Sequence, residues 1–128
     1  IKTQIKVTKK NVRWYLDTTK EKLEIIKKYI NEIKNKIKKY IDERVVYTLI
    51  LRIRTLHIIK KLIKNQDYSN KNFVSLIKKI SGKNAYEIYL AVKNNLKEKQ
   101  EISVEEAEKL YKYLEKELKE VKKLMRKR

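Results

Sequence analysis

Apolar residues recur along most of this chain at steps of three and four, the period of a helix with one buried face. Leu23, Ile26, Ile30, Ile33, Ile37 and Tyr40/Ile41 trace a long, narrow seam of coiled-coil type, with lysines covering the other faces. Thr18 followed three residues later by Glu21 is a capping-box pattern that opens this helix. Upstream, Ile1, Thr3, Ile5 and Val7 alternate with polar residues, which predicts an extended arm over residues 1–10. A first short helix is expected from Asn11 to Asp17.

The run from Glu43 to about Lys64 is patterned differently. Projected at about 100° per residue, Val46, Leu49, Ile53 and Leu56 form one face, and Ile50, Leu51, Ile58, Ile59 and Leu62 spread over most of the rest. A helix apolar nearly all round is central to its bundle. Asp42 stands where its N-cap is needed. Two polar strips interrupt the apolar surface, one of Arg44, Thr48, Arg52 and Thr55, the other of Arg54, His57 and Lys61.

Asn65 to Asn70 reads as a loop whose Ser69 caps a helix carrying Phe73, Leu76, Ile77 and Ile80. Gly82 falls just past its end, where a left-handed residue is wanted. Another helix is expected from about Ala85 to Leu96, with Tyr86, Tyr89, Leu90 and Val92. After a polar break, Lys97 to Glu101, Ser103 and Glu106 form a second capping box. The last helix aligns Ala107, Leu110, Leu114, Leu118, Val121 and Leu124, with Glu105–Lys109, Glu108–Lys112 and Glu115–Lys119 pairs outside. No repeat, low-complexity linker or second domain interrupts the pattern. The fold class is all-α, a single compact bundle of five to six helices over residues 11–128 around a central apolar helix.

Composition changes the picture from fold to partner. The 128 residues carry 35 Lys+Arg and 16 Asp+Glu, a formal net charge of +19, with one Gly, no Pro and no Cys. The absence of thiols excludes disulfides, Cys-ligated zinc and an iron–sulfur cluster. One glycine leaves no phosphate-cradling loop, and no apolar run approaches the ~18–20 residues that span a membrane. The chain opens on Ile1 without an apolar leader, the expectation for a fragment or trimmed cytoplasmic chain with no export signal. The charge is uneven: residues 1–100 hold 26 basic and 9 acidic residues, whereas residues 101–128 hold nine and seven. Self-repulsion at this charge costs stability, so an anionic partner is expected, nucleic acid first. A lysine bias from thermophile-like or AT-rich composition would solubilise the surface without such a gradient.

Arginine is the informative cation here, because its fork fits phosphate bidentately. Three of the six, Arg44, Arg52 and Arg54, fall on the most apolar helix. They require a groove, a ligand phosphate, or internal carboxylates such as Asp42, Glu43, Asp67 or Glu87. Trp14 and Tyr47 lie beside Arg13 and Arg44 in the sequence and are the favoured base-stacking residues. Tyr15, Tyr40, Tyr68, Tyr86, Tyr89, Tyr111 and Tyr113 fall mostly at seam positions, where the ring is core and the hydroxyl reaches out. The tail Lys122, Lys123, Arg126, Lys127 and Arg128 either tracks a phosphate backbone or complements the helix dipole. Scattered acids and the lack of a Ser-His-Asp or Cys-His set argue against an enzyme active alone. The candidate nucleic-acid- and nucleotide-binding residues are Arg13, Trp14, Arg44, Tyr47, Arg52, Arg54, His57, Lys60 and Lys61.

One arrangement goes beyond composition. Asn11-Val-Arg-Trp-Tyr-Leu16 is followed by Arg44-x2-Tyr-x-Leu-Ile-Leu-Arg-Ile-Arg54 and then Tyr68-Ser-x3-Phe73-x2-Leu76. Over roughly residues 11–80 this resembles the C-terminal domain of archaeal and eukaryotic primase large subunits. Without cysteines it looks closest to the cluster-free, noncatalytic PriX-type subunits of crenarchaeal primases. The resemblance implies a domain that helps bind single-stranded DNA template and initiating ATP or other nucleoside triphosphate while another subunit polymerises. It implies the catalytic and large primase subunits as partners. Arg44, Arg52 and Arg54 would contact phosphates, with His57 nearby. Two rival readings stand beside it. Arg52 and His57 have the Arg-x4-His spacing of HEPN-type ribonucleases. Alternatively, the chain is a structural helical partner of a nucleotidyltransferase, with its charge only surface composition.

Overall fold

Val12, Leu16, Leu23, Ile26, Ile30 and Ile33 lie buried along one face of a single helix, α1, which spans Lys9–Lys34. This is seen in the computed structural model, which describes residues 9–36, 40–95 and 102–126. The expected short helix and capped long helix are therefore one element. Thr19, fully buried, fills the seam between Leu16 and Leu23, so the inward face runs unbroken. Thr18 is not a cap: its hydroxyl donates to the Tyr15 carbonyl at 3.1 Å, one turn back in the same helix. The extended arm expected over residues 1–10 gives way to helix at Lys9 and Lys10, and residues 1–8 lie outside the described residues.

The long seam was expected to run on as helix through Ile37 to Ile41. Instead α1 stops at Lys34, and Tyr40–Ile41 forms a two-residue strand, β1. It pairs antiparallel with β2, Ile102–Ser103, in the register Tyr40↔Ser103 and Ile41↔Ile102. Ile41 is buried, but against Ile102 across the bridge. The bridge ties together the two chain crossings that lead into α2 and α5. Ile37 and the polar break from Lys97 to Glu101 lie outside the described residues.

Helix α2 spans Glu43–Ile63 and opens as expected on Asp42, whose Oδ1 accepts the Arg44 N–H at 2.8 Å. The Asp42 N–H in turn donates to the Tyr29 hydroxyl at 3.0 Å, which ties the start of α2 to α1. Val46, Leu49, Ile50, Ile53, Leu56 and Ile59 bury one side of α2 in the core. The helix packs most extensively on α5 (Val104–Arg126) and α4 (Lys83–Lys93), and only sparsely on α1. It is central, but its outward side is not fully covered: Leu51 and Ile58 are half-buried and Leu62 is 43% exposed.

Ser69 caps α3 (Asn70–Ser81), accepting the Asn72 N–H at 3.4 Å. Ser103 caps α5, accepting the Glu106 N–H at 3.2 Å while its own hydroxyl donates to the Glu106 carboxylate. Glu108 is drawn across to Lys34 of α1, at 2.7 Å. The described residues thus form an all-α bundle of five helices, about 85% helical, with one small antiparallel bridge. Among them no helix is long and apolar enough to cross a membrane.

Gly82 joins α3 directly to α4 at φ 89° and ψ 176°, a region open essentially to glycine alone. Its N–H accompanies this turn by donating to the Lys78 carbonyl at 2.9 Å. No atom lies within 4 Å of where a Cβ would sit, so the demand is conformational and not steric. Gly82→Ala is expected to cost about 1–3 kcal/mol in urea unfolding, and Gly82→Asn to give no rescue, because this is not the left-handed helical region asparagine tolerates.

Candidate nucleic-acid interface

Arg52 and Arg54 lie two residues apart on a helix, about 200° around its axis, and the fold uses them on opposite flanks of α2. Arg52 turns to α1. Its Nη1 donates to Thr18 Oγ1 at 2.9 Å and Thr19 Oγ1 at 3.2 Å, and its guanidinium carbon lies 4.5 Å from the centre of the Tyr15 ring. Hydroxyls and a ring face orient the guanidinium without neutralising it. Burial raises the Tyr15 phenol above its ordinary value, opposed by Thr55 and Arg52. Thr18 was expected as a helix cap and Thr19 had no expected role; both become partners of Arg52 because α1 runs past them.

Arg54 turns the other way. It lies 5.5 Å from the centre of the Tyr68 ring, and Tyr68 meets His57 edge-on at 6.0 Å. Toward α4, Tyr47 stacks on Tyr89 at 5.2 Å with the rings 16° apart, and Tyr86 lies 5.8 Å from Tyr89. Burial raises the Tyr89 phenol, and the Arg54 charge works against that shift. Tyr47, Tyr68 and Tyr86 are half-buried, while Tyr89 is core. Lys71, Lys78 and Lys79 of α3 are exposed. Residues 43–93 hold eleven Lys/Arg against three Asp/Glu, whereas residues 104–126 hold seven against six. Helix α1 holds eight against four, so the basic surface is that of α1 to α4, with α5 close to neutral.

The remaining predicted residues separate. Arg44 is paired with Asp42, its own cap, at 3.2 Å, with its side chain 83% exposed. Arg13 and the 65% exposed Trp14 line a shallow depression of about 370 Å³ with Lys10 and Asp17, formed by α1 alone. Lys60 is withdrawn from any ligand site. Its ammonium pairs with Glu120 and with Glu117 at 3.4 Å, which together outweigh burial and hold it charged. Glu117 is 5% exposed and also accepts from the Tyr113 hydroxyl at 2.8 Å. Burial and this carboxylate push the Tyr113 phenol far up. A glutamate at a seam step from Leu114 was the one sequence sign of this cluster. Lys61 is half-buried.

His57 sits against Tyr68 and Phe73, with its Nε2 buried and unbonded. Within one chain it faces the α3 side while Arg52 faces α1, so the Arg-x4-His spacing does not produce converging side chains. Among the described residues no group of three or more His, Asp or Glu could hold a metal. Tyr89, assigned to the core by the seam pattern, is core, whereas Tyr68 and Tyr86 are half-buried and complete the aromatic face.

Burial holds His57 below the ordinary value of 6.5, with Glu117 opposing and Lys61 and Lys60 assisting. The unfolded chain then binds the proton more readily, so stability is lost as pH falls through about 6.5. Glu120, lowered chiefly by its bond to Lys60, loses stability only below the ordinary carboxylate value of 4.5. Melting curves between these two values should fall with pH in the wild type and flatten in His57→Gln. Separately, Lys60→Met strands the buried Glu117 and should cost about 3 kcal/mol, most of it recovered in Lys60→Met/Glu117→Leu.

Compared with protein-family models, with curated proteins and with solved structures, the chain has no match, and its functional reading rests on its own residues.

Proposed function

We propose that this chain is a non-catalytic module that binds single-stranded nucleic acid and nucleotide, through the face built by α2, the loop after it, α3 and α4. The observation that carries this reading is Arg54 lying over Tyr68, beside the Tyr47–Tyr89–Tyr86 row, in a stretch with eleven Lys/Arg against three Asp/Glu. Long-range attraction brings a polyanion to the lysines of α3, where released counterions supply most of the affinity. Arg54, already oriented by a ring, offers its fork to a phosphate. A base can use the half-buried tyrosines only if it is unpaired and unstacked, which favours a single strand over a duplex.

The resemblance over residues 11–80 takes the proposal one step further. A Ser-capped small helix does follow the arginine helix. On that basis the module serves in the cytoplasm as an accessory subunit of a DNA primase, presenting template and initiating triphosphate to catalytic and large subunits. Its own part is binding and positioning.

The test is binding of a fluorescent oligo(dT) across a salt series, with and without ATP. Arg54→Ala and Tyr68→Ala, checked for an intact melting transition, should each weaken binding about tenfold near physiological salt. Lys112→Ala, an exposed lysine of α5, should cost no more than about twofold. Equal effects from all three variants would reduce the binding to that of any polycation and remove the proposal.

A further inference from the structure

The outward side of α2 carries a second feature that nucleic-acid binding does not use. Leu51, Thr55, Ile58 and Leu62 follow one another at steps of four, three and four, a stripe of about 17 Å along the helix. Leu51, Thr55 and Ile58 are half-buried, and Leu62 is among the most exposed large apolar residues of the described chain. Tyr15 of α1 reaches Thr55 and walls the stripe on that flank, but α1 otherwise packs only sparsely on α2, and the remaining helices cover the opposite side. Arg52 borders it on the α1 flank, and Arg54 and Lys61 on the other. From Arg44 to Ile63 the helix carries no acidic residue.

We propose that this stripe docks an amphipathic helix of a partner protein, one with an apolar seam bordered by Asp and Glu. The spacing is that of a helix-in-groove contact read at i, i+4, i+7 and i+11. Charge complementarity selects the occupant. A second copy of this chain placed face to face sets the cations of one α2 against those of the other, with no acidic residue from Arg44 to Ile63 to offset them, on a molecule of net charge +19. Its most acidic helix, α5, is no better, since its six glutamates are matched by seven bases. Leucine and isoleucine give an unpaired base no ring to stack on, so a nucleic acid gains little here. An acidic helix gains apolar burial along the stripe and opposite charge on both borders. The arginines then set its register and orientation more than its affinity.

The experiment uses the full chain and a fluorescent helical peptide with Leu at i, i+4, i+7 and i+11 and Glu at the flanking positions. Its controls are the same composition in scrambled order and the same peptide with Lys for Glu. The proposal expects the acidic peptide to bind at least about tenfold more tightly than the scrambled one and the lysine version not to bind. Ile58→Ser/Leu62→Ser, which changes no charge, should weaken peptide binding about tenfold and leave oligo(dT) binding unchanged. Should the double variant melt early, Leu62→Ser alone serves, since that side chain is exposed. Equal binding of acidic and scrambled peptides, or no effect of the serine variants, overturns the proposal. So does loss of oligo(dT) binding in those variants, or a wild-type dimer in sedimentation that they dissolve.

Discussion

Helix α2 buries six large aliphatic side chains on one side, from Val46 to Ile59, and the other elements are placed by the need to cover them. Each such side chain contributes about 1.5–3 kcal/mol when removed from water, so their joint burial dominates the arrangement. Helices α5 and α4 supply most of the cover, and α3 adds Phe73 and Ile77. The β1–β2 bridge holds the entries to α2 and α5 together, and the Asp42–Tyr29 hydrogen bond fixes where α1 departs. An apolar helix this central leaves few directions in which a charge can escape.

Five cations nevertheless sit on α2, and each meets the cost of desolvation differently. Arg44 stays in water beside its cap. Arg52 and Arg54 lie over tyrosine rings, with hydroxyls completing the hydrogen bonds of Arg52. Lys60 is the one drawn inward, and it is matched by a carboxylate almost as buried as the core. Lys61 keeps part of its length in solvent. The distinction matters for function. A cation paired with a carboxylate presents little net field, whereas one held by a ring and hydroxyls retains its full charge in a fixed orientation, ready for an incoming phosphate.

Surface electrostatics divide the molecule in the same way. On α5, glutamates offset lysines, and Glu108 reaches across to Lys34 of α1. On α3 three lysines stand with no acid at all. Self-repulsion thus falls on α1 to α4 and spares α5, and the half-buried tyrosines lie within the repelling part. A polyanion bound there would relieve it, which links the stability of the fold to occupancy of the proposed interface.

Helical period, the caps at Asp42, Ser69 and Ser103, and the glycine after α3 were all legible in the chain, because each is decided within a few residues by backbone geometry and local hydrogen bonding. The core residues of α2 and α5 were legible for the same reason, as was the separation of α2 into two polar strips. What those strips face was not. Thr18, with Glu21 after it, looks like a helix start until Arg52, more than thirty residues away, donates to its hydroxyl and to that of Thr19. Tyr40 and Ile41 continue a helical seam until a partner strand from residues 102–103 outcompetes it. Lys60 and Arg54 look alike as basic residues of one helix, yet Glu117 removes the first from the surface and Tyr68 holds the second on it. Local pattern determined the elements and which sides they bury. The identity of each charge's partner, and hence which cations remain to bind anything, was decided by contacts between residues far apart in the chain, whose energies no local period records.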